Sequence, residues 1–177
     1  VISAYNATSN TFLYVTNKII TIKGPDNAKI KPKIITKSGV NYVIQIPASA
    51  RSGLVLENIE IDGRNVARNF VYLANATIYL PYLKIKNCYL HNVTQSGIEA
   101  TGSNNTVDTC IVENSRFYYI GGTGHYAIRF NSNAVCKNFI AKNSTFQRIS
   151  EGVIRIGGYQ LVKKNVYIDH CTIDSIT

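Results

Sequence analysis

Apolar and polar residues alternate in short stretches along most of this chain. Around Asn87 the apolar positions are Leu83, Ile85, Cys88 and Leu90. A period of two is typical of a β-strand with one buried face, whereas an amphipathic helix repeats every 3.6 residues. The alternation changes phase at Asn87, which indicates that two strands meet there at a sharp bend. Asparagine tolerates the left-handed backbone conformation that such a bend requires.

The same bend recurs along the chain at a nearly constant spacing. The anchor residues are 29, 27, 29 and 27 positions apart, and they are Asn58, Asn87, Asn114, Asn143 and His170. A further alternating segment occurs in each repeat, at residues 43–46, 70–73, 97–100, 127–130 and 153–156. Three short strands per coil of about 28 residues cannot bury an apolar face alone, but stacked coils can. The repeat therefore predicts an all-β fold, a right-handed parallel β-helix with three sheets.

The repeat also predicts how the chain is organised. We expect the β-helix to occupy residues 19–177, preceded by a polar segment or incomplete coil over residues 1–18. The last coil has only its first two strands, and no amphipathic cap follows them. Because an uncapped solenoid exposes its edge and its core, we expect a chain truncated at its C-terminal end. It would then be part of a longer protein, or be held against another protein chain at the uncapped end.

Stacking the coils in register groups the side chains into columns. The outward residues just before the bends alternate in charge, and they are Glu57, Lys86, Glu113, Lys142 and Asp169. Each charge would lie between two opposite charges, which favours this register over a slipped one. We therefore interpret this column as structural.

The outward column of the third strand has a different character. It contains Gln45, Tyr72, Glu99, Arg129 and Arg155. A column that only stabilised the register would not place Arg129 and Arg155 in successive coils, because like charges repel. The next outward positions are mostly small, which would leave a shallow floor, and they are Pro47, Ala74, Thr101, Asn131 and Gly157.

This column predicts a surface that binds an acidic glycan. Tyr72 would stack on a sugar ring, and each arginine would hold a carboxylate or sulfate through two hydrogen bonds. Asn131 lies beside the arginines, and His125 follows a loop with three glycines and could exchange a proton near neutral pH. Our candidate glycan-binding residues are thus Tyr72, Glu99, Arg129, Arg155, Asn131 and His125. The alternative is an ordinary solvated surface with one Glu99–Arg129 pair.

Composition narrows the class of partner. The chain has 177 residues, with 19 Lys and Arg against 10 Asp and Glu, and a formal net charge of +9. This excess favours anionic partners. The basic residues are scattered rather than clustered, which disfavours nucleic acid, and no apolar run is long enough to span a membrane.

The cysteines indicate neither a metal site nor a disulfide framework. Cys88 and Cys171 share one inward column but lie three coils apart, which is too far for a disulfide. Cys110 falls in another inward column, and Cys136 precedes that column by three residues. We expect four reduced thiols that fill the core as small apolar groups. The chain has no CxxC pair or zinc-ligand spacing, and we expect no metal site.

The repeat and one short segment resemble a known superfamily. Residues 166–171, Val-Tyr-Ile-Asp-His-Cys, are similar to a Val-Trp-Ile-Asp-His-Cys segment of pectate lyases. The chain thus resembles the pectate-lyase-like superfamily of β-helix proteins, and especially secreted members from Bacteroidetes-type bacteria. The resemblance implies an extracellular or cell-surface location, and it implies that the third-strand sheet is the sugar-binding groove.

The resemblance does not supply a complete catalytic set. The calcium aspartates and the catalytic arginine of pectate lyases lie beyond the similar segment, where this chain ends. Chondroitin- and alginate-lyase relatives have a Glu-x-Glu calcium pair followed by a lysine, and only Glu99 matches that pattern. We therefore expect a module that binds glycan or a protein partner without a cofactor and without catalysis of its own. The alternative is a fragment of a polysaccharide lyase that acts on acidic glycans by β-elimination and would need calcium.

Overall fold

The computed structural model describes residues 11–74, 77–102, 104–131, 133–157 and 165–176. Within these ranges the chain forms eighteen strands and no helix, and the strands pair in parallel in three sheets of six. Sheet A contains β1 (Thr11–Tyr14), β4 (Tyr42–Ile46), β7 (Asn69–Leu73), β10 (Ile98–Ala100), β13 (Tyr126–Phe130) and β16 (Gly152–Ile156). Sheet B contains β2 (Ile19–Lys23), β5 (Gly53–Glu57), β8 (Tyr79–Lys86), β11 (Thr106–Glu113), β14 (Val135–Lys142) and β17 (Asn165–Asp169). Sheet C contains β3 (Lys33–Ile35), β6 (Glu60–Asp62), β9 (Tyr89–Val93), β12 (Arg116–Ile120), β15 (Thr145–Ile149) and β18 (Thr172–Ile176).

The order of the strands confirms the predicted fold class. In every sheet each strand pairs with the strand three positions along the chain, so that each coil contributes one strand to each sheet. The fold is therefore a right-handed parallel β-helix whose coils are about 27 residues apart. Residues 1–10 of the predicted N-terminal segment lie outside the described residues. The rest of that segment contains β1, which pairs with β4 at the edge of sheet A.

The bends between sheets B and C are the anchor positions of the sequence repeat. All five anchors have a left-handed backbone, with φ between 48° and 55°: Asn58, Asn87, Asn114, Asn143 and His170. The Asn87 side-chain amide donates to Oδ1 of Asn58 at 2.7 Å, and the Asn58 amide donates to Asp26 at 2.7 Å. Asparagine therefore serves both the backbone conformation and a ladder of hydrogen bonds between these coils.

The charged column before the bends is in the predicted register. Glu57, Lys86, Glu113, Lys142 and Asp169 pair in succession, and Lys23 extends the column at its start. Lys86 Nζ lies 3.3 Å from Glu113, and Lys23 Nζ lies 3.8 Å from Glu57. These ion pairs are partly exposed, and such pairs contribute only about 0.2–1 kcal/mol each.

The core runs along the axis of the coils and consists of inward columns. One column contains Leu54, Leu83, Cys110, Phe139 and Val166. Phe117 and Phe146 are fully buried, and their ring centroids are 5.4 Å apart. Burial of one such side chain contributes about 1.5–3 kcal/mol, so stacked coils stabilise one another mainly through these columns.

The cysteines confirm the predicted inward phase, with one difference. All four are free; Cys88, Cys110 and Cys136 are buried, whereas Cys171 is only partly buried. Cys171 lies in the last coil, where no described strand stacks on its outer side. For the same reason Val166 and Ile173, whose side chains point inward, are about half exposed.

Candidate functional site

The predicted glycan-binding column forms a continuous row on the outer face of sheet A. Gln45 pairs with Tyr72, Tyr72 with Glu99, Glu99 with Arg129, and Arg129 with Arg155. From Tyr72 to Arg155 the row crosses three strand spacings, which is roughly 14 Å. The structure therefore brings four of the six candidate residues together in the expected order, while their role in glycan binding stays a prediction.

Glu99 and Arg129 form the most buried charged pair of this row. Arg129 Nη1 donates to Glu99 Oε1 at 3.2 Å, and the amide of Asn69 donates to Glu99 Oε2 at 3.0 Å. The side chains of Glu99 and Arg129 are only 6% and 17% exposed. Because a buried carboxylate requires such partners, the pair fixes the position of the Arg129 guanidinium. The Nε atom of Arg129 is also buried, and it has no hydrogen-bond partner among the residues that the structure describes.

Tyr72 belongs to an aromatic pair that sequence reasoning missed. Its ring lies against the ring of Tyr42, with centroids 4.1 Å apart and planes inclined by 8°. The Tyr72 hydroxyl is 3.2 Å from the Thr101 hydroxyl. One face of the Tyr72 ring is thus covered by Tyr42, so the two rings present a joint aromatic surface at one end of the row.

Arg155 is the exposed cation at the other end. Its Cζ atom lies 5.8 Å from the ring centroid of Tyr126, which is within the range of a cation–π contact. No carboxylate of the described residues lies within ion-pairing distance of Arg155. Its charge is therefore not neutralised as that of Arg129 is, and the row from Glu99 to Arg155 carries a net positive charge.

His125 lies beside the row, between sheets C and A. Its Nδ1 is 3.3 Å from the hydroxyl of Ser96, a buried residue whose oxygen also accepts the Tyr126 backbone N–H at 3.2 Å. Burial lowers the pKa of the His125 imidazole below its usual value, Arg129 lowers it further, and Glu99 and Glu151 oppose these effects. The imidazole is therefore mostly neutral near pH 7, and its pKa depends on the charges of Glu99 and Arg129 in the row.

Asn131 follows β13 at the edge of the row. Its backbone N–H donates to the carbonyl of Ala100 at 2.9 Å, and its own carbonyl accepts the N–H of Ala134 at 3.0 Å. The side chain belongs to the outward column of mostly small residues and is partly exposed. Asn131 can therefore offer an amide to a ligand on sheet A while its backbone holds the turn.

Across the residues that the structure describes, no cluster of three or more His, Cys, Asp or Glu side chains could hold a metal ion. None of the described ranges contains a helix long and apolar enough to cross a membrane.

Comparison with known proteins identifies a family. The model of a domain of unknown function, DUF4957, matches residues 4–148. The chain belongs to the DUF4957 family. The DUF4957 match includes Tyr72, Glu99, His125, Arg129 and Asn131, whereas Arg155 lies beyond it. No curated protein and no solved structure matches the chain.

Proposed function

We propose that this chain is an extracellular or cell-surface β-helix module that binds an acidic polysaccharide along the outer face of sheet A. We also propose that the chain is related to the pectate-lyase-like superfamily and that it holds no complete catalytic set. The observation that carries the proposed binding is the register of Arg129 and Arg155, which places two guanidinium groups on adjacent strands, while the one carboxylate of the row, that of Glu99, pairs with Arg129 from the strand on its other side.

The geometry supports recognition of an anionic sugar chain in three ways. Arg129 is held by Glu99, so little conformational entropy is lost when it binds a ligand. Arg155 is exposed and can approach a carboxylate or sulfate with two parallel donors. The Tyr42–Tyr72 pair lies two to three coils away, which suits an oligosaccharide of two or three units along the row.

The test is a calorimetric titration of the protein with polygalacturonate, alginate and chondroitin sulfate at low ionic strength. Arg155→Ala should weaken binding about three- to tenfold, because a charge-assisted hydrogen bond at an exposed site contributes about 1 kcal/mol. Arg129→Ala together with Arg155→Ala should weaken it further. Lys84→Ala removes one positive charge from sheet B and serves as the control.

Three outcomes would count against this function. The first is equal binding by the wild type and both arginine variants, and the second is an effect of Lys84→Ala as large as that of Arg155→Ala. If the wild type binds none of the three glycans, the proposal fails as well. A protein chain that binds at the exposed edge formed by β17 and β18 would then be the better candidate partner.

One observation favours the alternative, a polysaccharide lyase fragment. A neutral imidazole at His125 lies near a row of guanidinium groups, and β-elimination requires a base beside a neutralised carboxylate. If the wild type releases unsaturated sugar products from an acidic glycan and His125→Asn does not, the non-catalytic function is wrong.

A further inference from the structure

The outer face of sheet C carries a cluster of aromatic and basic side chains away from the row on sheet A. At its centre is the ring of Tyr118, with the guanidinium carbons of Arg116 and Arg148 5.0 Å and 5.5 Å from its centroid. The ring of Tyr119 is 6.3 Å away. We call Arg116, Tyr118, Tyr119 and Arg148 the Tyr118 cluster. Two guanidinium groups held at one ring form a preorganised, positively charged surface.

The charges of the Tyr118 cluster are not neutralised by the part of the chain that the structure describes. Arg116 donates to the neutral side chain of Gln147 at 2.7 Å, and neither arginine has a described carboxylate within ion-pairing distance. The acidic residues of the same sheet have other partners: Lys33 pairs with Glu60 and Asp62. Asp174 accepts hydrogen bonds from the side chains of Gln147 and Ser175 and forms no ion pair with either arginine. An anionic ligand would therefore find two unpaired guanidinium groups here.

The backbone supplies an independent indication of function. Tyr119 and Arg148 both have a left-handed backbone, with φ of 53°. They share one position of the repeat with Asn92 and Ser175, which have φ of 64° and 53°. Asparagine adopts this conformation readily, whereas it is strained for bulky side chains. The chain thus places a tyrosine and an arginine where the backbone favours asparagine, as is common at binding sites.

A cleft adjoins these two strained residues. Its volume is about 370 Å³, and it is lined by Tyr119, Gly121, Gly122, Arg148, Ser150 and Ser175. Gly122 has φ of 97°, and a Cβ atom there would lie 2.7 Å from the Thr94 carbonyl oxygen. The cleft is within the size range of small-ligand sites, and Tyr119 is 45% exposed beside it.

We propose that the Tyr118 cluster and its cleft form a second binding site, which takes a saccharide unit that bears a carboxylate or sulfate. Arg116 and Arg148 bind the anionic group, and the exposed ring of Tyr119 stacks on the sugar. Ser150 and Ser175 line the cleft, and because their hydroxyl groups already donate to Gly122 and Asp174, their oxygens can accept hydrogen bonds from the sugar's hydroxyl groups. The site uses no residue of the row on sheet A, so either site can exist without the other.

The test exploits the backbone strain. Tyr119→Asn and Arg148→Asn each install the residue that the repeat has at Asn92. Both variants should melt at a higher temperature than the wild type, because the strain is relieved, and both should bind more weakly by at least about fivefold. A variant that is more stable cannot lose its ligand through misfolding. The probes are a galacturonic acid trisaccharide and a chondroitin sulfate tetrasaccharide, titrated by calorimetry.

Arg64→Asn is the matched control. Arg64 is also exposed and left-handed, with φ of 52°, but it follows β6 and lies three strands from Arg148. This variant removes the same charge and relieves the same strain, and it should bind both probes as the wild type does. The two sites are separated by their affinities, since the asparagine variants should weaken one of the two binding events and the Arg129→Ala plus Arg155→Ala variant should weaken the other.

Several results would overturn this second site. It fails if Tyr119→Asn and Arg148→Asn bind the probes as tightly as the wild type, or if Arg64→Asn loses as much affinity as they do. It also fails if the wild type binds neither probe at low salt. A thymidine oligonucleotide serves as the third probe, and if it binds more tightly than both saccharides and depends on the same residues, the assigned ligand class is wrong.

Discussion

Replacement of Glu99 by glutamine tests the buried pair that positions Arg129. In the wild type both carboxylate oxygens accept hydrogen bonds, one from Asn69 at 3.0 Å and one from Arg129 at 3.2 Å. Glutamine keeps one acceptor and replaces the other with an NH₂ donor. One of the two neighbouring donors would then face another donor, and the charge of Arg129 would lose its partner.

The size of the effect follows from the burial. Removal of one partner from a fully buried ion pair costs about 3–5 kcal/mol, and loss of a hydrogen bond to a charged group costs about 1.5–3 kcal/mol. Because the Arg129 side chain is still 17% exposed, solvent screens part of its charge. We therefore expect Glu99→Gln to lower the free energy of unfolding by about 2–3 kcal/mol, a fall in melting temperature of about 4–12 °C.

The assay is urea unfolding at neutral pH, followed by far-ultraviolet circular dichroism. Glu113→Gln is the matched control, because it makes the same chemical change in a partly exposed pair with Lys86 and should cost under about 1 kcal/mol. Glu99→Gln should also bind acidic glycans more tightly, because the repulsion between the Glu99 carboxylate and the ligand's anion is larger than the entropy that a freed Arg129 side chain loses on binding. An equal loss of stability in both variants, or a weaker affinity of Glu99→Gln, would refute this account of the pair.

Three further predictions test the register, the core and the electrostatics. Lys86→Glu places three acids in successive coils and should cost about 1 kcal/mol without changing glycan affinity; lost binding at unchanged thermal stability would mean that the assigned face is wrong. Thiol titration of the denatured, unreduced protein should find four thiols, and in the native state Cys110 should react slowest because burial raises its pKa well above the usual value; two or fewer thiols would contradict the coil assignment. Burial raises the pKa of Asp62, but hydrogen bonds from Asn92, the Arg64 N–H and Lys33 bring it below its usual value of 3.8. Its stabilising effect is thus present above that value and is lost as the pH falls through the lower pKa of the folded state. Asp62→Asn should therefore reduce stability in urea unfolding at neutral pH but not in strong acid, and an equal difference at both pH values would contradict the shift.

The repeat made the coils and their columns predictable from the sequence. Period-two alternation fixes which side chains face the core, and the anchor spacing fixes which residues are neighbours in adjacent coils. The order from Tyr72 to Arg155, the inward cysteines and the left-handed anchors all follow from these two regularities. They are properties of the backbone path, which the repeat determines.

Contacts between different columns could not be predicted in this way. Tyr42 stacks on Tyr72 although its strand partner is Asn69, and Asn69 bonds to Glu99 across the same offset. Such contacts depend on side-chain rotamers, which the repeat leaves undetermined. Tyr119 and Arg148 are harder still, because the left-handed residue near the end of sheet C interrupts the alternation. The one signal of this left-handed position in the sequence was Asn92, because asparagine favours that conformation.

The most direct test of glycan binding on sheet A is a residue-resolved NMR titration with a short oligogalacturonide at low salt. The amide signals of Glu99, Arg129, Asn131 and Arg155 should shift together and saturate. These shifts should shrink as salt is raised toward about 0.15 M, where the Debye length is about 8 Å. Signals of the charged column on sheet B should stay unchanged. Saturating shifts that leave sheet A unaffected, or no shifts at any ligand concentration, would contradict glycan binding on sheet A.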